Sequence, residues 1–158
     1  MKKILALASV ALFLLTSSCK KDDGADTQVS ASGSWTLNGV THKAAYTTKS
    51  TTSDGNTLFM AFDKLPNDPA VNSFNLSFKT APTAGGTYQL VAFGSATASN
   101  QVEVFAGSSA GVYAYRGAAI NVTVTLSGGK YKVVIPEITV MGTAGTPDVK
   151  LSGTFQEM

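Results

Sequence analysis

Alternation of apolar and polar residues dominates the chain from residue 33 onward. Phe74, Leu76 and Phe78 alternate with Ser73, Asn75, Ser77 and Lys79, the period-2 pattern of a strand with one buried face. Ile120, Val122, Val124 and Leu126 repeat it against Asn121, Thr123 and Thr125. Near the end, Val149, Leu151 and Phe155 oppose Lys150, Ser152, Thr154 and Gln156. Between these runs, Asn38-Gly39, Asp54-Gly55, Gly85-Gly86 and Gly128-Gly129 supply residues that tolerate positive φ. Gly128-Gly129, between Leu126 and Tyr131, is the best hairpin signal. No segment after residue 33 carries a sustained 3.6-residue period bounded by caps. The pattern predicts an all-β domain, an antiparallel β-sandwich of about ten short strands, with a closed up-and-down barrel as the alternative.

One strand changes phase. Its apolar side falls on odd positions at Tyr131, Val133 and Ile135, then on even ones at Ile138 and Val140, after Pro136-Glu137. A one-residue shift at a proline predicts a β-bulge or a strand switching sheets, with Pro136 at an unpaired position.

The N-terminus follows a different pattern. Lys2 and Lys3 precede an apolar run, Ile4 to Leu15, interrupted only by Ser9, and Thr16-Ser17-Ser18 leads into Cys19, the single cysteine. That run is shorter than the roughly 20 residues a membrane-spanning helix needs. It has the layout of a cleaved signal segment. A small-residue site ending on cysteine resembles the lipobox of bacterial lipoproteins, with Leu15 one position further out than in the tightest form. In that family the cysteine is acylated and becomes the first residue of the mature protein. The resemblance implies a signal peptide over 1–18, lipidation at Cys19, and a flexible tether over 19–32 before a single domain at 33–158. The tether has few apolar side chains to bury. Its start, Cys19-Lys20-Lys21-Asp22-Asp23, resembles the export signal of Bacteroidetes surface lipoproteins. That implies Lys21, Asp22 and Asp23 direct the domain to the outer face of the outer membrane, the periplasmic leaflet being the alternative.

Processing changes the charge balance. The full chain carries 12 Lys and Arg against 10 Asp and Glu. Losing Lys2 and Lys3 brings the mature chain to zero net charge. Nucleic-acid binding needs dense cationic contacts to phosphate, and no basic stripe exists here. With Cys19 acylated, no thiol remains for a disulfide, a metal site or a nucleophile.

The order Trp35-Thr36-Leu37-Asn38-Gly39, then Gly86-Thr87-Tyr88-Gln89-Leu90, then Ser152-Gly153-Thr154-Phe155 resembles small Bacteroidetes lipoproteins of an unknown-function family. The resemblance implies an all-β domain and lends no catalytic residues.

Candidate chemistry is sparse. His42 is the sole histidine, flanked by Thr41 and Lys43, and reads as a surface residue. Asp54, Asp63, Asp68, Glu103, Glu137, Asp148 and Glu157 are far apart in sequence. Asp54-Gly55-Asn56 and Asn67-Asp68 offer calcium-type oxygens, and turn formation explains both. Trp35 reads as a core plug. Tyr113 and Tyr115 share one face of a strand, opposite Ala114, and are the candidate ligand contacts if that face is open; as core residues they bind nothing. No cofactor is implied. The expected function is non-enzymatic: a membrane-anchored domain binding a glycan or protein ligand. A structural or assembly subunit of an outer-membrane complex is the alternative.

Overall fold

A computed structural model describes residues 33–65, 67–143 and 145–157. Within them lie eleven strands and no helix. They are β1 (Gly33–Leu37), β2 (Val40–Lys43), β3 (Tyr46–Thr51), β4 (Thr57–Phe62), β5 (Ser73–Phe78), β6 (Gly86–Leu90), β7 (Gln101–Ser108), β8 (Gly111–Tyr115), β9 (Ile120–Ser127), β10 (Lys130–Gly142) and β11 (Val149–Gln156).

Two hairpins follow from turn chemistry alone. Asn38 (φ 51°) and Gly39 (φ 78°) join β1 to β2, and Gly128 (φ 59°) and Gly129 (φ 78°) join β9 to β10. Two successive positive φ values define the turn whose twist matches that of paired strands. Gly85-Gly86 works otherwise. It is not a hairpin turn: Gly86 opens β6 opposite Val124 of β9, and a Cβ on Gly85 would press on the Val124 carbonyl at 3.2 Å.

The strands run in the order β2-β1-β11-β10-β9-β6-β7-β5-β4-β3, and β8 bridges β10 to β7. That bridge closes β6, β7, β8, β10 and β9 into a ring. Two wings leave it, β11-β1-β2 from β10 and β5-β4-β3 from β7. The wings face each other across the core, so the fold is a sandwich along one side and a small barrel along the other. The pairing is antiparallel except between β6 and β7, where Gln89 and Leu90 run parallel to Gln101 and Val102.

The bulge lies where the phase change predicts it. Ile135 of β10 pairs with Gly153 of β11, whereas Ile138 pairs with Leu151, one residue more on β10 than on β11. Pro136 and Glu137 have no partner across from them, so the missing proline N–H costs no ladder bond. Before the bulge β10 pairs with β9, and beyond it with β8.

Alternate residues of each strand fill the interior: Phe59 and Ala61, Phe74, Leu76 and Phe78, Val102, Val104 and Ala106, Val122 and Val124, Leu151 and Phe155. Rings tie the wings together. Trp35 of β1 stacks on Phe74 of β5 at 6.0 Å. Phe59 of β4 meets Phe155 of β11 at 5.5 Å and Tyr131 of β10 at 5.1 Å, both edge-on. Gly153 makes room for Trp35, its cross-strand partner: a Cβ there would lie 2.7 Å from the Trp35 Cβ.

Truncating the shared ring, Phe59→Ala, is expected to cost about 3–5 kcal/mol, because the cavity borders both wings. Gly153→Ala, which adds a methyl to a filled space, is expected to cost about 1–3 kcal/mol. Urea unfolding should show a lowered midpoint with an unchanged slope for both. A wild-type midpoint for Phe59→Ala would place the ring outside the shared core.

Candidate functional site

The outward face of β4, β5 and β7 is unusual, because polar groups on it are buried. Leu58, Ser77 and Glu103 form one cross-strand row, and Met60, Asn75 and Phe105 form the next. Their neighbours along each strand are core residues, so period-2 geometry turns this set away from the core. Yet Asn75, Ser77 and Glu103 are all buried.

The cover is the connection between β6 and β7, residues 91–100. Its backbone is pinned at several points. Phe93 N–H donates to the Tyr115 carbonyl at 2.7 Å, and Val91 N–H to the Val102 carbonyl at 2.9 Å. Thr97 and Ala98 N–H both donate to Gln101 Oε1, at 2.7 and 3.0 Å. Ala96 N–H donates to Glu103 Oε1 at 2.7 Å. The Phe93 ring lies against Phe105, 5.3 Å between centroids at 70°.

On the opposite rim, the turn between β3 and β4 is held by Thr52, which donates its backbone N–H to the Asn56 carbonyl and accepts the Asn56 N–H on Oγ1. This fixes Asp54 and Asn56 facing the cover. Between the two segments lies a cleft of about 540 Å³ whose lining includes Asn56, Lys79, Phe93, Glu103 and Phe105. Phe93 is 39% exposed and offers an aromatic wall. Glu103 is 7% exposed at the floor, and Asn56 Oδ1 is buried with no protein donor. An aromatic wall beside convergent acceptors and a lysine suits a small polyhydroxylated ligand.

A second polar cluster lies past the other end of β4. His42 of β2 pairs across the strand with Trp35 and stacks on its indole at 5.3 Å. Its Nδ1 lies 2.9 Å from Asp63 Oδ2. Asp63 also accepts the Asn72 backbone N–H on Oδ1 and the Asn72 side-chain amide on Oδ2, each at 2.7 Å. Burial pushes the Asp63 pKa up. The Asn72 donors and His42 together outweigh it and hold the carboxyl below 3.8. An ionised carboxylate only accepts, so the His42 Nδ1 carries the shared proton. The cluster clasps β2 in one wing to the end of β4 in the other.

His42 is therefore not the surface residue its neighbours suggest; its side chain is 14% exposed. Tyr113 and Tyr115 are likewise not an open platform. They are 5% and 6% exposed and belong to the core, and the Tyr115 hydroxyl donates to the Ala118 carbonyl. The strand pairs along both edges, with β7 and β10, and the face that carries the two rings packs into the core, where no ligand reaches it. Trp35 is the core plug expected. Asp68 Oδ1 accepts the Ala70 N–H at 2.7 Å, an Asx turn. Cys19, Lys21, Asp22 and Asp23 lie outside the described residues.

In the sequence Glu103 is one of several scattered acids, and nothing there groups it with Phe93, Phe105 and Asn56. The usable signal was local. In Gln101-Val102-Glu103-Val104-Phe105-Ala106, the polar phase of the strand carries an acid and a phenylalanine two residues apart. Comparison with protein-family models, with curated proteins and with solved structures found no match.

Two outcomes are expected from these clusters. Tyr113→Ala with Tyr115→Ala should unfold the domain, at about 3–5 kcal/mol per buried ring; unchanged melting would mean that both rings are dispensable surface. Asp63→Asn should cost about 1.5–3 kcal/mol at neutral pH, the worth of hydrogen bonds to a charged group. Because the folded pKa of Asp63 is depressed, its stabilisation is present above about 3.8 and is lost as pH falls through the lower folded value. The wild-type and Asp63→Asn unfolding curves should therefore converge at acid pH. A gap that stays constant down to pH ~2 would remove the carboxylate from the linkage.

Proposed function

We propose that this chain is a lipid-anchored outer-membrane lipoprotein of the cell surface, whose domain binds glycans without catalysis. The observation that carries the binding reading is the cleft between the 52–56 turn and the 91–100 cover, whose lining holds both the exposed Phe93 ring and the Glu103 carboxyl. Sugars present apolar C–H faces and hydroxyl edges together, which a ring wall and a polar floor match. Hydroxyls from a ligand would supply donors to the Glu103 carboxyl.

A binder rather than an enzyme is favoured by the spacing of the polar groups. His42 is clasped between the wings by Asp63, and its ring is stacked on Trp35. Glu103 lies in a different region, at the start of β7, and holds the cover in place through Ala96. Anchoring is supported by Lys2 and Lys3, the apolar run Ile4 to Leu15, and the small residues before Cys19. The acid pair beside Lys21 supports surface export over the periplasmic leaflet.

Cys19→Ala should move the protein from membranes to the soluble fraction, since each buried CH₂ of an acyl chain is worth about 0.8 kcal/mol. Alanine at Lys21, Asp22 and Asp23 should protect the domain from protease added to intact cells while leaving it membrane-bound. Phe93→Ala should weaken glycan binding at least about tenfold, or ~1.4 kcal/mol, with melting nearly unchanged because the ring is partly exposed. A glycan array that captures neither the wild-type chain nor the variant would sink the binding reading and leave assembly as the function.

A further inference from the structure

We infer that the cleft selects a saccharide bearing a protonated amine, with Glu103 as the counter-charge. The inference rests on the glycan reading of the cleft and adds the chemical class of the sugar. Glu103 is buried on the outward face of β7 with one donor, the Ala96 N–H on Oε1. A carboxylate offers about four acceptor positions, so its capacity is largely unused. Among the described residues it forms no ion pair: the acids that do are Asp63, Asp68 and Glu137. Lys79 lines the cleft without approaching Glu103 to ion-pair distance.

A buried carboxyl without a cation is costly, and the cost falls when a ligand supplies one. Asp54 adds a further acid at the rim. The lining sets one cation, Lys79, against two acids, Glu103 and Asp54, so acid is in excess. Neutral hydroxyls bring donors only. An ammonium brings three donors and the charge, and the Phe93 and Phe105 rings add cation–π attraction. A uronic acid, by contrast, would meet Glu103 and Asp54 as like charges.

The test compares trisaccharides that share one linkage. The full chain in detergent micelles is titrated calorimetrically at about pH 6, below the range in which amines lose their proton. The ligands are a β-1,4 glucosamine trimer, its N-acetylated form and cellotriose. The glucosamine trimer should bind about tenfold more tightly than the other two, a difference of ~1.4 kcal/mol. Glu103→Gln keeps an acceptor for Ala96 and should erase this preference, so that the variant binds the glucosamine trimer no more tightly than it binds cellotriose. In the wild-type chain, titration at about pH 9, where the amine is neutral, should erase it as well.

Cellotriose binding as tight as the glucosamine trimer, or a preference that survives either change, overturns the amine assignment and leaves the glycan reading standing. Absence of binding by all three trisaccharides overturns both.

Discussion

The extra residue in β10 at Pro136-Glu137 is the constraint on which the architecture turns. A regular strand keeps one partner on each side along its length. With one residue inserted, β10 holds β11 throughout but exchanges β9 for β8 on its other side. β8 then reaches β7, and the sheet closes into a ring. Without the insertion, Ile138 and Val140 would face away from the interior that Val133 and Ile135 fill, because the side-chain period is two. The same residue therefore keeps four side chains in the core and redirects the strand. Proline suits the site because no ladder bond is asked of it.

Closing one side leaves the other to be managed. β2 and β3 are the ends of the strand order, and exposed edges invite pairing with other chains. Each edge strand turns a cationic or titratable side chain inward. His42 lies against Trp35, fixed by Asp63. Lys49, opposite Phe59 on β3, places its ammonium 5.2 Å from the Phe59 ring and 5.0 Å from the Tyr131 ring. An incoming strand would have to displace these groups from favourable contacts. Core closure and protection of the edges thus use the same aromatic residues.

The cleft arises from the one parallel pairing. Because β6 and β7 run parallel, the chain between them must travel back before it re-enters the sheet. Residues 91–100 make that return across the outward face of β7, and the row below them becomes half-interior. Glu103 then serves both: its Oε1 accepts the Ala96 N–H that holds the cover, and the residue lines the cleft. Cover and site are coupled through a single carboxyl.

The amino-acid sequence alone determined the strand content, the two-residue hairpins and the bulge, because each depends on residues adjacent in the chain. Asn38-Gly39 and Gly128-Gly129 dictate their own turn geometry, and the phase of Tyr131 to Val140 records the extra residue directly. The burial of Trp35 was legible from its size and its place in the first strand. The positions of Tyr113, Tyr115 and His42 were not. A strand reads as half-exposed until its neighbours are known, and only tertiary pairing put β8 between β7 and β10. His42 is drawn inward by Asp63 and Asn72, residues distant in the chain, which no local pattern connects to it. Glu103, Asn56 and Phe93 come from three separate segments, and it took the return path of the 91–100 connection to bring them around one cleft. Local periodicity sets which face a residue shares; only the packed chain decides which faces meet.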